Sequence, residues 1–374
     1  MSEQRILHVL ASLDRGGAES MLMNIYRRID RTSVQFDFVV NERPQQYAYE
    51  AEIGALGGRV FRMPKASSRQ CIAYGRQWHQ LLAEHPEWQV IHGHHTSPGV
   101  VYFSQAHIMG RQTIAHSHTA GADSSIKGLA KRFSRYPLRY QADHLFACSR
   151  AAAKWMFGRQ AYRAHIVKNA IDIGLYSFSS DRRLQVRTKL GVHAKLVVGH
   201  VGNFLPPKNH EFVLAVFAEI LKRRHDSVLL LVGDGPLRRR LARSAIALGV
   251  ASNVIFAGSR TDVPDLMQAM DLFLFPSQYE GLGMALVEAQ ASGLPCVVSN
   301  TIPEEATVTD LVTAMSLSTA PSKWATAALD SYQRCHRRNR DSELSAAGYD
   351  DRRVAAWLST FYAGIARAPA EAMT

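Results

Sequence analysis

Two glutamates eight positions apart, Glu280 and Glu288, sit in the most chemically loaded stretch of the chain, Phe275-Pro276-Ser277-Gln278-Tyr279-Glu280-Gly281-Leu282-Gly283-Met284-Ala285-Leu286-Val287-Glu288-Ala289. Paired carboxylates are the equipment of a glycosidase acid and nucleophile. Here the second lies in a helix beneath the loop that carries the first, so the two need not face one bond. Glu288 is better placed to accept from vicinal hydroxyls, as an acidic residue does for a ribose in nucleotide sites; the alternative is two ordinary solvated glutamates. Lys208, in Gly202-Asn203-Phe204-Leu205-Pro206-Pro207-Lys208-Asn209-His210, stands just before a helix and can neutralise a phosphate as a point charge. Near the start, Gly16-Gly17 between a strand and a helix brings backbone close to an anion at a helix N-terminus, or else is a turn that needs glycine only for shape. Gly233-Asp234-Gly235-Pro236 reads as turn chemistry with proline at a helix start.

Histidines gather at strand ends: His92, His94 and His95, then His116 and His118. Metal binding is the weaker reading, because no carboxylate or cysteine accompanies them at ligand spacing. A neutral imidazole donating to a substrate hydroxyl or phosphate is favoured, and a structural hydrogen-bonding role stays open for His92 and His94.

These residues need a scaffold that brings strand ends together. Strands are expected at Ile6–Leu10, Gln35–Val40, Val90–His92, Thr113–His116 and His144–Ala147, alternating with helices. A second series follows at Leu196–Val201, Ser227–Val232, Asn253–Ala257, Leu272–Phe275 and Cys296–Ser299. Strand–helix alternation implies parallel, doubly wound α/β sheets, which bind ligands outside the carboxyl ends of their strands. At 374 residues two domains are expected, with the polar piece Tyr176–Arg183 as linker and a mostly helical pattern after Pro321. The amphipathic stretch Val354–Tyr362 must dock on something.

Composition is that of a soluble globular protein, 47% hydrophobic and 20% charged. The balance of 44 basic against 32 acidic side chains, formally +12, favours an anionic partner. No recognition helix or aromatic-basic RNA motif supports nucleic acid. The four cysteines are dispersed, which reads as reduced thiols. Neither a signal-peptide core nor a membrane span is visible, and a cytoplasmic location is expected. Lys127 to Arg139 mixes basic with apolar and aromatic residues. It reads either as an interfacial stretch meeting anionic lipid or as a solvated basic face.

Arg15-Gly16-Gly17-Ala18-Glu19, Phe36-Asp37-Phe38-Val39-Val40, Ala115-His116-Ser117-His118, Ala147-Cys148-Ser149, Lys168-Asn169-Ala170-Ile171-Asp172, Lys208-Asn209-His210, Leu231-Val232-Gly233-Asp234-Gly235 and the block Pro276 to Pro295 occur in this order. Together they resemble the retaining GT-B glycosyltransferases of family 4, nearest to the branch that builds exopolysaccharide and capsule. The resemblance implies a GT-B fold, two Rossmann-like doubly wound domains facing across a cleft. The N-terminal acceptor-side domain would span 1–176 and the nucleotide-sugar-binding domain 184–350, with a helix in 351–374 crossing back to the first.

By that resemblance Glu288 binds the ribose hydroxyls and Glu280 the donor sugar, while the backbone of Gly281, Leu282, Gly283 and Met284 supports sugar and phosphates. Lys208 pairs with the diphosphate, Gly16 and Gly17 close on it, and His118 lies near the reacting sugar. Glu280, His118 and Lys208 are the implied catalytic set; no protein nucleophile, cofactor or metal is needed. The implied partners are a nucleotide-sugar, a lipid-linked or growing saccharide acceptor and an anionic membrane surface, the enzyme sitting peripherally at the inner face of the plasma membrane. A soluble acceptor, an epimerase or a non-catalytic nucleotide-sugar module are the alternatives. Two departures stand out. Asn203, in the donor loop, replaces a customary arginine, a loss of about 1–3 kcal/mol if nothing substitutes. Ala170 replaces a customary glycine, which would make that turn less permissive.

Overall fold

Val, Ile, Leu and Phe run almost without interruption through the strand segments, a pattern suited only to sheets covered on both faces. A computed structural model of the chain describes residues 3–14, 16–67, 70–94, 98–118 and 136–365. In it the chain forms two units, 1–171 with 348–374, and 172–347.

Among its described residues unit 1 holds seven parallel strands: β1 Gln4–Val9, β2 Val34–Asn41, β3 Val60–Met63, β4 Trp88–Gly93, β5 Gln112–Ser117, β6 His144–Ala147 and β7 His165–Ile166. Their order is β3-β2-β1-β4-β5-β6-β7. The order reverses between β1 and β4, where diverging loops leave room at the strand ends. One face is covered by the helix Gly17–Arg28 and by the helix Asp351–Ile365, whose Ala355, Leu358 and Tyr362 join Ile6, Tyr26, Phe36 and Phe38 in a single core. The late helix thus completes the first unit. The other face is packed by Trp78, Trp88, Tyr102 and Phe103. Buried Asp37 accepts from Arg5, Arg59 and the Trp88 indole. Burial alone would raise its pKa; these donors more than offset that and hold it below the usual carboxylate range.

Unit 2 holds six parallel strands: β8 Leu196–Val201, β9 Ser227–Val232, β10 Val254–Gly258, β11 Leu272–Phe275, β12 Cys296–Ser299 and β13 Val312–Met315, ordered β10-β9-β8-β11-β12-β13. Its reversal lies between β8 and β11. Arg337 is enclosed in this unit and donates to the carbonyls of Met267, Gln268, Met270 and Ser292. It thereby caps the helices Val263–Ala269 and Met284–Ala291 at their C-termini, where a cation is favoured.

Tyr176–Arg183 is not a linker. Ser179 accepts from the Arg182 N–H and caps the helix Ser180–Leu190, while Arg183 and Arg187 pair with Asp271. The chain leaves unit 1 at Asp172 and returns at Gly348. Ala170 is also unstrained: among the described residues the only non-glycine with positive φ is Asn209. No helix among the described residues is long and apolar enough to cross a membrane.

Candidate functional site

In unit 2 the loops after β8 and β11, on either side of the strand-order reversal, are stitched together. The Gln278 N–H donates to the Pro207 carbonyl (2.8 Å) and the Asn209 amide to the Pro276 carbonyl (3.1 Å). Asn209 takes the left-handed conformation (φ 56°) that ends the short turn Pro206–Lys208 and opens the helix His210–Arg223. This places the Lys208 ammonium 2.6 Å from a Glu280 carboxylate oxygen and 5.3 Å from the centre of the Phe275 ring. The two residues that sequence reasoning assigned to separate parts of a ligand are partners here. A phosphate at Lys208 would replace one anion by another there and would leave Glu280 free to accept elsewhere.

Gly281, Leu282, Gly283 and Met284 form the turn into the next helix. Leu282 is buried, Gly283 sits at φ 85° as the N-cap, and Met284 is the first helical residue. The helix start has no side-chain cap, so its first N–H groups are open to an acceptor. One turn on, Glu288 is enclosed by protein but keeps part of its surface open. Burial raises its carboxyl from 4.5 to about 7, with a hydrogen bond from Tyr176 and the charge of Lys208 pulling the other way. A carboxylate so poorly solvated is primed to accept from hydroxyls.

The neighbouring loop settles the Gly233-Asp234-Gly235 turn as a packing device. Gly233 lies at φ 139°, and a Cβ there would collide with the Gly202 carbonyl. The Phe204 N–H donates to the Asp234 carbonyl at 2.8 Å. Asn203, beside it, is exposed.

In unit 1, Gly16 caps the helix Gly17–Arg28 without a side-chain bond. The Glu19 carboxylate folds back over this helix start, where a Cβ on Gly16 would meet it, whereas a Cβ on Gly17 would meet nothing within 4 Å. The Glu19 side chain can swing aside, so Gly16 is not fixed by sterics alone, and the space beside Gly17 is open. Arg15 and His95 lie outside the described residues.

The remaining strand-end histidines converge, with a fifth that sequence reasoning took for an ordinary strand residue. His8 is the lateral neighbour of His92 across β1 and β4. His8 Nδ1 lies 3.0 Å from His94 Nε2, and His94 Nδ1 lies 2.7 Å from His118 Nε2. In parallel, the Tyr362 hydroxyl lies 2.7 Å from His92 Nδ1, and His92 Nε2 lies 3.2 Å from His116 Nδ1. Burial holds His8 near 3 and His118 near 4, the latter raised slightly by Asn169, and pushes the other three well below the usual range. All five are neutral at pH 7. Their nitrogens do offer metal-ligand spacing, as the sets His8, His92, His94 and His94, His116, His118; three imidazoles can suffice without the carboxylate or cysteine the sequence reading looked for. Yet His92 stacks on His94 (4.3 Å, 21°) and His116 on His118 (4.1 Å, 30°). Lone pairs lie in the ring plane, so stacked rings do not aim them at one point.

Of the basic segment, residues 127–135 lie outside those described. Its end is: Arg139 covers the Tyr136 ring at 4.3 Å, and Tyr136, Tyr140 and Tyr162 are exposed beside Arg159 and Arg163.

The family model described as Glycosyltransferase Family 4 matches residues 15–175, and that described as Glycosyl transferases group 1 matches residues 195–334. The chain is 35% identical over 333 residues to a Bacillus subtilis (strain 168) protein named as glycosyltransferase EpsF, covering 87% of this chain and 86% of that one. It is 25% identical over 235 residues, 59% of each chain, to the Escherichia coli UDP-Gal:alpha-D-GlcNAc-diphosphoundecaprenol alpha-1,3-galactosyltransferase. In fold it resembles the crystal structure of Anabaena HepE in complex with UDP, with a TM-score of 0.79 and 20% identity over 97% of this chain and 100% of that one.

Proposed function

The chain belongs to the family 4, group 1 glycosyltransferases, and on that premise we propose that it is a retaining enzyme of cell-surface polysaccharide assembly. It moves a sugar from a UDP- or GDP-sugar onto a lipid-linked or growing saccharide. One observation carries this reading: the Lys208–Glu280 pair, the uncapped helix start at Gly283 and the recessed Glu288 all flank the strand-order reversal of unit 2. The E. coli relative is named for a UDP-sugar donor and a diphosphoundecaprenol-linked acceptor, and HepE was crystallised with UDP, which favours a uridine nucleotide.

Breaking the anomeric C–O bond leaves a nucleoside diphosphate, so charge develops on phosphate oxygens. Lys208 and the N–H groups at the helix start are preorganised donors for that charge, which is worth far more than the same donors in water. Glu288 takes the ribose hydroxyls and Glu280, released by Lys208, takes hydroxyls of the sugar. The acceptor attacks from the side of the departing phosphate, which collects its proton. No protein nucleophile enters this scheme, and it runs without a metal. Gly16 and Gly17 support the diphosphate, and His118 contacts the transferred sugar. The tyrosine–arginine surface around Tyr136, Arg139 and Tyr162 supports contact with anionic lipid at the inner face of the plasma membrane.

The test is thermal-shift screening against nucleoside diphosphates and their sugars, followed by transfer assays. A donor at 100 times its Kd should stabilise the protein by about 2.7 kcal/mol. Turnover of Glu280→Ala equal to that of the unaltered protein would remove Glu280 from the site.

A further inference from the structure

The five histidines of unit 1 are two hydrogen-bonded ribbons laid on one another. In His8–His94–His118 neighbouring rings are linked nitrogen to nitrogen at 3.0 and 2.7 Å, with interplanar angles of 25° and 26°. Tyr362–His92–His116 is the second ribbon, stacked on the first. A neutral imidazole has one N–H and one bare nitrogen. A ring bonded through both nitrogens therefore donates from one and accepts at the other, and His94 is such a ring. The first ribbon consequently has two self-consistent states: every proton on Nδ1, or every proton on Nε2.

The two ends choose between them. At one end His8 Nε2 is buried without a partner. With all protons on Nδ1 this orphan is a lone pair; with all on Nε2 it is an N–H, the rarer and less tolerated orphan. At the other end Asn169 adjoins His118, but neither its Oδ1 nor His118 Nδ1 has a partner of good geometry. A proton on His118 Nδ1 supplies the donor that the unpartnered Asn169 Oδ1 lacks, whereas a bare Nδ1 would need the amide turned over to present its NH2 instead. Both ends select the same state.

We infer that His8, His94 and His118 form a one-way hydrogen-bond chain with all three protons on Nδ1, so that His118 accepts from His94 at Nε2, turns its buried Nδ1–H to Asn169 and keeps no bare nitrogen to act as a base. His8 and His94 are positioning residues that hold the ring and its tautomer. The chain cannot reverse in place, since that would require a proton delivered to buried His8 Nε2. That the ring so held lies beside the transferred sugar rests on the proposed transferase reading; the tautomer does not.

Long-range 1H–15N correlation on the full-length protein labelled with 15N-histidine distinguishes protonated from bare ring nitrogens, with assignment through bonds from the backbone. The expected result is protonated Nδ1 on His8, His94 and His118 between pH 6 and 8; protonated Nε2 on His118 overturns the inference. As a functional arm, His94→Ala should lower kcat/KM about tenfold, the loss of one hydrogen bond. Added imidazole should restore it, and 1-methylimidazole, which can accept but not donate, should not. Equal rescue by both also overturns the chain. If the protein turns over no nucleotide-sugar, the transferase reading falls while the tautomer measurement still decides this one.

Discussion

Glu288 offers the sharpest test, because its recess makes opposite demands on stability and binding. Its carboxyl is raised from 4.5 to about 7 in the folded protein. Below about 4.5 it is protonated folded or unfolded and contributes nothing. Between those values the unfolded chain releases the proton first, so the folded state loses ground as pH rises; above about 7 the full penalty stands. At about 1.4 kcal/mol per pH unit this approaches roughly 3 kcal/mol, an upper bound because part of the side chain meets water. Glu288→Gln keeps an acceptor for Tyr176 and never ionises. The variant should therefore match the unaltered protein at pH 4.5 and exceed it by about 1–3 kcal/mol at pH 8, measured by urea unfolding at both pH values. The same substitution should weaken UDP binding at pH 8 by about 1.5–3 kcal/mol, the scale of hydrogen bonds to a charged group, by calorimetry. A stability difference that does not change with pH, or unaltered UDP affinity, would refute the reasoning.

Other substitutions separate ligand roles from structural ones. Lys208→Ala should cut kcat/KM by about 10²–10³-fold in steady-state assays, while unfolding shifts by only about 1 kcal/mol, since the Lys208–Glu280 pair is partly open to solvent. Asn203→Arg, at an exposed position, should tighten nucleoside diphosphate binding by roughly tenfold if a customary cation is missing there; calorimetry with UDP and GDP reads it. Gly17→Ala meets no neighbour, so the melting temperature should hold within a few degrees while the donor KM rises, because the new methyl occupies space left for a ligand.

How far the chain could be read in advance depended on burial. Leu196–Val201, Ser227–Val232, Leu272–Phe275 and Cys296–Ser299 are almost wholly buried runs, and each was visible as a strand. Val60–Met63, His165–Ile166 and Val312–Met315 escaped notice: they lie at the outer positions of their sheets and are partly covered or, for His165–Ile166, exposed, so no apolar run announces them. The polar string Tyr176–Arg183 misled for the opposite reason. Its arginines are spent inward, on Asp271, Asp265 and helix-end carbonyls, and composition does not distinguish an inward guanidinium from a solvated one. In the candidate site, residue types were legible but partnerships were not. That Lys208 grips Glu280, or that His8 joins His94, depends on which strands are neighbours, and strand order is invisible until the sheet is assembled.

The helix Asp351–Ile365 has a consequence for biosynthesis. Tyr362 bonds His92 and packs against Phe36, while Ala355 and Leu358 fill the same core, yet these residues leave the ribosome only after the whole of 172–347 has been made. At roughly 5–20 residues per second that interval is on the order of ten seconds or more. The nascent first unit must wait through it with part of one face of its sheet uncovered and the His92–His116 ribbon lacking its tyrosine. The unit whose synthesis starts second has every residue it needs first, so the order of completion on the ribosome runs opposite to the order of the sequence.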